Sequence, residues 1–204
     1  MNEKLLAYWQ ALALQPLPPE RERKLRQVGN VLRQALPEAG SAQALQLVWV
    51  CNHNARRSQL AQAWSTVWMG HQPGLSIVSA GEASTVPHPG AVRALLAAGF
   101  SGNIAAGPPY TLHTGTSEVR LSSKRIEELP PHPRRFVLSV CTASDANCPL
   151  VPGAQYRFSL PFADPKVADG TPEELSRYLQ CSAEIGRQVQ LLAGFAGFLT
   201  PLSQ

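Results

Sequence analysis

The sequence predicts an α/β domain built on a parallel sheet, and three observations carry that expectation. An apolar run ends in Cys51 and gives way to the polar stretch Asn52-His53-Asn54-Ala55-Arg56. Leu60, Ala61, Ala63, Trp64 and Val67 then recur at helical spacing. The alternation repeats with a strand-like run at about 75–79 and a helical pattern at about 88–98 closed by Gly99. A second apolar run, Arg135-Phe136-Val137-Leu138-Ser139-Val140-Cys141, and a long closing helical pattern complete the scheme. Alternating segments with short connections imply parallel strands, right-handed crossovers and a ligand site at the strands' carboxyl ends.

In chain order, residues 3–14 read as a short helix with Leu5, Leu6, Trp9 and Leu12 on one side, broken by Pro16, Pro18 and Pro19. A second helix from about Glu20 carries acidic residues in its first turn and a stripe of Leu25, Val28, Leu32 and Leu36. Pro37-Glu38-Ala39-Gly40-Ser41 ends it, so residues 1–43 form an N-terminal helical extension and 44–204 the main domain. The extension caps or widens one face of the core, or supplies a dimer contact. The first strand spans about 45–51 and its helix about 57–69. Tyr110-Thr111-Leu112-His113 and Glu118-Val119-Arg120-Leu121 alternate around Thr114-Gly115-Thr116, as in a hairpin. Tyr156-Arg157-Phe158-Ser159-Leu160 is the last short strand. The closing helix runs from about 172 to 199, with Thr171 as N-cap, Pro172 at its first position and Glu173-Glu174 at its positive end.

Composition bounds the function. A chain of 204 residues with 44% hydrophobic and 16% charged residues can bury one full core. No apolar run approaches the roughly 18–20 residues that span a membrane, and residues 1–15 lack a signal-peptide pattern. Cysteines at 51, 141, 148 and 181 are too few and too irregular for a secreted disulfide scaffold. A cytoplasmic protein without a membrane partner is expected. The net charge of +4 lies largely in Arg21, Arg23, Lys24, Arg26 and Arg134-Arg135, solvated faces and no recognisable nucleic-acid module. A mildly basic surface suits an anionic substrate.

The chemistry concentrates at Cys51 to Ser58. Strand, short polar loop and helix make an anion site, because successive backbone N–H groups curl into a nest at the helix's positive end. Asn52, His53, Asn54, Ala55, Arg56, Arg57 and Ser58 are therefore the candidate oxyanion-binding residues. The Arg57 guanidinium can grip two oxygens of a tetrahedral anion. Cys51 at the base of the loop is the candidate nucleophile, since the potential that holds an anion also favours a thiolate. A cysteine ending a buried strand also serves as a small hydrophobe. Its placement in C-x5-R-[ST] between strand and helix favours the chemical role. No G-x4-G-K-[ST] pattern is present, so a nucleoside-triphosphatase has no support. No metal or cofactor is called for.

Cys51 to Ser58, followed by Gln59-Leu60-Ala61, resembles the signature loop of low-molecular-weight protein tyrosine phosphatases and of their relatives, the thioredoxin-coupled arsenate reductases. The resemblance continues through Ser79-Ala80-Gly81, Pro89-x-Ala91-Val92 with Gly99-Phe100, Cys141 to Pro149 and Asp164-Pro165, covering most of residues 45–200. It implies a three-layer α/β sandwich on a four-stranded parallel flavodoxin-like sheet. It also implies that Ser58 donates a hydrogen bond to the Cys51 thiolate and that Asn54 braces the loop. Asp164-Pro165 makes a turn in the simplest reading, and the resemblance makes Asp164 the general acid. Asp169-Gly170 reads as turn chemistry.

Cys141 and Cys148 read either as a strand-core residue and a loop thiol or as a relay at the edge that carries Cys51. In the reductases the loop cysteine attacks arsenate, a second thiol releases arsenite, and a third presents the disulfide to thioredoxin. Those roles fall here to Cys51, Cys141 and Cys148. Reduction of arsenate is the leading expectation, with phosphotyrosine hydrolysis through a cysteinyl-phosphate as the alternative. A non-catalytic oxyanion-binding or redox-sensing module is the third. Three departures stand out: Ala55-Arg56 replaces the small-residue/Cys pair common before the loop arginine, Gln62 stands where the reductases carry a potassium-site Glu, and Lys166 follows Asp164-Pro165 where tyrosine phosphatases carry aromatics.

Overall fold

The computed structural model describes residues 2–13, 16–36, 44–142 and 150–199. Four parallel strands form the main sheet: β1 (Leu45–Cys51), β2 (Leu75–Gly81), β6 (Arg135–Ser139) and β7 (Ala154–Ser159), in the order β2-β1-β6-β7. β1 is central and buried along its whole length, and Cys51 pairs with Gly81 at its carboxyl end. The expected parallel sheet and the spans 45–51 and 57–69 are both found. The expected hairpin is present as β4 (Tyr110–His113) and β5 (Glu118–Leu121), and an unforeseen two-residue strand, β3 (Ser101–Gly102), joins it in a small antiparallel sheet.

Among the described residues five α-helices pack in the core on one face of the sheet: α1 (Glu3–Ala13), α2 (Pro19–Ala35), α3 (Arg57–Met69), α4 (Pro89–Ala98) and α5 (Glu174–Phe195). Side-chain alternation sorts the sheet into unequal faces. Leu45, Leu47, Trp49 and Cys51 enter the large core, with Leu25, Val28 and Leu32 of α2, Trp64 of α3, Leu95 of α4 and Ile185 of α5. Val48 and Val50 point the other way, onto Ile126 and Leu129 of a short 3-10 turn and onto Val151. The N-terminal helices thus contribute to the same core as α3–α5. Asn2 fixes α1 by accepting from Leu5 N and donating to the Gly99 carbonyl.

Element ends shift where side chains intervene. α5 begins at Glu174, because Thr171 Oγ1 accepts from Glu173 N and donates to the Ala168 carbonyl, a turn that precedes the helix. β6 stops at Ser139, where its hydroxyl accepts from Cys141 N. Cys148 and Pro149 lie outside the described residues. Among the described residues no helix is long and apolar enough to cross a membrane.

Candidate active site

The loop between β1 and α3 is pinned from outside by its carbonyls. Asn52 O accepts from Ala83 N, Asn54 O from Gln59 Nε2 and Ala55 O from His88 N, each at 2.8 Å. His53 O accepts from Ser123 Oγ at 3.2 Å and Thr85 Oγ1 at 3.4 Å. In a planar trans peptide the next residue's N–H points opposite to that carbonyl. Four outward carbonyls therefore turn the amides of His53, Asn54, Ala55 and Arg56 inward, toward the recess lined by Cys51, His53, Ala55, Arg56, Arg57 and Asp164. The loop ends at the N-terminus of a 13-residue helix, where inward amides add to the helix's positive end. Gly81 makes the close approach possible: a Cβ there would lie 2.7 Å from Asn54 N and 2.9 Å from Asn52 O.

Asn54 carries the loop's unusual backbone at φ 48°. Its side chain is fully buried, donating to Ser58 Oγ at 2.8 Å and accepting from Lys124 N at 2.9 Å. Ser58 Oγ lies 3.0 Å from Cys51 Sγ. Since the hydroxyl already accepts from Asn54, its own proton is free to point at sulfur. Lys124 closes the underside, its ammonium donating to the Ser79 and Ser122 carbonyls at 3.1 Å. Burial holds that amine below its ordinary value. Gln62 accepts from Ser79 Oγ and donates to the Arg120 carbonyl.

Arg57 is buried at the first turn of α3. Its Nη1 donates to Phe162 O at 3.0 Å and its Nη2 to Asp164 Oδ2 at 2.6 Å. Asp164 also caps the turn Pro165–Ala168, accepting from Lys166 N, with 29% of its side chain exposed. The two residues that sequence reasoning assigns to oxyanion binding and proton transfer are thus in contact. Cys141, buried at the end of β6, places its Sγ 3.5 Å from Asn52 Oδ1, the residue next to Cys51. Cys181 sits against the Ala163 carbonyl, on the α5 side of Asp164, and burial pushes its thiol up to about 12.

The Arg56 guanidinium is engaged away from the loop: Nε donates to Tyr178 Oη at 2.6 Å and Nη2 pairs with Asp169 Oδ2 at 2.5 Å. Its contribution to the recess is therefore through its amide. Asp169 is more than a turn residue, because it also accepts from Tyr178 Oη at 2.8 Å and faces His88 Nε2 at 3.7 Å. Burial alone would raise the Asp169 carboxyl. The bonds from Tyr178 and Arg56 outweigh it and hold the group below its ordinary value. No sequence signal joins residues 56, 88, 169 and 178, since only the fold brings them together.

No family model matches the chain. Among curated proteins, the arsenate reductase of Bacillus licheniformis is 27% identical over 148 residues, 72% of this chain and 94% of that protein. The arsenate reductase of Halalkalibacterium halodurans is 25% identical over the same shares. The likeness is to arsenate reductases. Solved structures agree on the fold: the arsenate reductase of Archaeoglobus fulgidus superposes with a TM-score of 0.50 at 20% identity, covering 72% of this chain and 98% of that one. An arsenate reductase in its oxidised state gives 0.51 at 18%, covering 74% and 98%. The resemblance read from Cys51–Ser58 and its companion segments is thereby borne out. Each relative leaves over a quarter of this chain unmatched.

Proposed function

We propose that the chain is a thiol-dependent arsenate reductase whose chemistry resides in residues 44–204, with 1–43 capping the helical face. The observation that carries this reading is the second thiol: Cys141 lies at the carboxyl edge of β6, against Asn52 of the loop that Cys51 anchors. The Cys51 thiolate attacks arsenic, and an As–O bond breaks as the departing oxygen takes a proton from Asp164. The loop amides and Arg57 hold the remaining oxygens and the charge that develops on them. Cys141, as thiolate, then attacks Cys51 Sγ. The S–S bond forms as the S–As bond breaks, and its electron pair stays on arsenic, which leaves as arsenite. Two thiols are oxidised and As(V) becomes As(III). In this reading Cys148 takes over the disulfide and presents it to a thioredoxin-type dithiol in the cytoplasm.

Phosphate-ester hydrolysis is the second reading, favoured by the Asp164–Arg57 contact, since a carboxyl acid at that place also serves an ester leaving group. Among the described residues that line the recess none is Phe, Tyr or Trp, which favours a bare inorganic anion over an aryl ester. Paired assays separate the two. With wild type, arsenate-dependent oxidation of reduced thioredoxin is expected, lost on Cys141→Ser, while any aryl-phosphate hydrolysis survives. Wild type that hydrolyses phosphotyrosine peptides without arsenate turnover identifies a phosphatase.

A further inference from the structure

The Arg56–Asp169–Tyr178 cluster joins three separate parts of the chain. Arg56 is the last loop residue before α3, Asp169 ends the turn that starts at Asp164, and Tyr178 lies on α5. The three make a closed triangle of hydrogen bonds, Arg56 to Tyr178, Tyr178 to Asp169 and Arg56 to Asp169. His88 covers it, its ring stacked on Tyr178 at 4.9 Å and 9°, while its backbone N–H holds the Ala55 carbonyl of the loop. The His88 Nδ1 accepts from Gly90 N, which leaves the ring proton on Nε2, facing Asp169. Gly90 is what lets the Tyr178 ring in, since a Cβ there would meet the ring at 2.9 Å.

The turn Pro165–Ala168 is therefore held at both ends by neighbouring loop arginines: Asp164 by Arg57 and Asp169 by Arg56. Val167 between them is exposed, and Lys166 and Asp169 close the turn by one backbone bond. Pro165 and Ala168 are buried and Thr171 bonds the Ala168 carbonyl, and the Asp169 anchor adds a direct tie from this turn to the nucleophile loop. We infer that Asp169, through Arg56 and Tyr178, is a positioning residue that holds the Asp164 side chain at the recess beside Arg57, where in its protonated form it serves the departing oxygen. This rests on the role given to Asp164 in the proposed reaction. It also gives Arg56 a use that its neighbour Arg57 does not duplicate, as a strut between the nucleophile loop and the acid turn.

The test compares Asp164→Asn, Asp169→Asn, Tyr178→Phe and the double variant Asp164→Asn/Asp169→Asn, with two readouts. The first is the phosphate concentration that half-protects Cys51 from iodoacetamide. An oxyanion competes with Asp164 for Arg57, so loosening Asp164 is expected to lower that concentration about threefold, the scale of a partly exposed ion pair. The second is kcat with arsenate and with an aryl phosphate, expected to fall about tenfold in Asp169→Asn and Tyr178→Phe and about 100-fold in Asp164→Asn. Because Asp169 acts through Asp164, the double variant should match Asp164→Asn alone within about twofold on both readouts.

Additive losses, or weaker phosphate protection in Asp169→Asn, overturn the inference and mark the cluster as general structural support. Equal protection in Asp169→Asn and wild type overturns it as well. Full turnover in Asp164→Asn instead removes Asp164 from the reaction, while the protection readout still reports whether Asp169 positions it.

Discussion

At the scale of single residues, Asn54 combines backbone and side-chain work that substitutions can separate. Asn54→Gly keeps access to φ 48° and loses the bonds to Ser58 and Lys124, whereas Asn54→Ala loses both. Asn54→Ala is expected to be less stable than Asn54→Gly by about 1 kcal/mol in urea unfolding. Both should slow alkylation of Cys51, because Ser58 is then free to turn its proton elsewhere. Cys181 makes the contrasting prediction. With its thiol pushed up to about 12 and its side chain buried, it should stay unlabelled by iodoacetamide at neutral pH until the protein unfolds. Asp169 supplies a pH dependence. A carboxyl held below its ordinary value stabilises the folded state at pH above the unfolded value of about 4, and the contribution is lost as pH falls through the lower, folded value. Wild type should therefore lose stability on acidification more steeply than Asp169→Asn, as thermal melts between pH 6 and 3 would register.

Among the elements, α5 carries the most consequence for the site, since Tyr178 near its start holds the clamp and Gly186 further on receives α3. A Cβ at Gly186 would lie 2.8 Å from the Trp64 indole, whose Nε1 donates to Ser182 Oγ on the same helix. Gly186→Ala must push Trp64 or α5 outward, so a loss of about 1–3 kcal/mol is expected from overpacking. Because α3 also presents Arg57 and Ser58, the shift should lower turnover too. Leu32 on α2 is as deeply buried, on a helix that supplies none of the hydrogen bonds described at the loop. Leu32→Ala should cost about 2–5 kcal/mol in unfolding and leave kcat/KM for arsenate within about twofold at 25 °C. A large drop in kcat/KM there would show that the N-terminal pair does more than cover the core.

For the whole molecule, the sheet was legible because its strands are apolar runs bounded by turn residues and alternate with helical periodicity. Cys51, Arg57 and Ser58 were legible because they share one short stretch. Asp164 could be read from Asp-Pro together with the family resemblance. The carbonyl anchors at Ala83, His88 and Ser123 were not, since they are backbone or hydroxyl groups of ordinary segments whose meaning depends on which loop passes beside them. The clamp was invisible for the same reason: Arg56 and Tyr178 are 122 residues apart. The thin second face of the sheet follows from 3-10 geometry too short to leave a periodic pattern. In the proposed reaction Cys141 resolves the arsenic adduct on Cys51. That step is tested most directly by mixing reduced Cys148→Ser protein with arsenate, without external reductant, and mapping the disulfides by mass spectrometry while counting arsenite. One arsenite per chain and a Cys51–Cys141 disulfide are expected, both absent in Cys141→Ser. Free thiols with no arsenite in the Cys148→Ser protein would contradict that step.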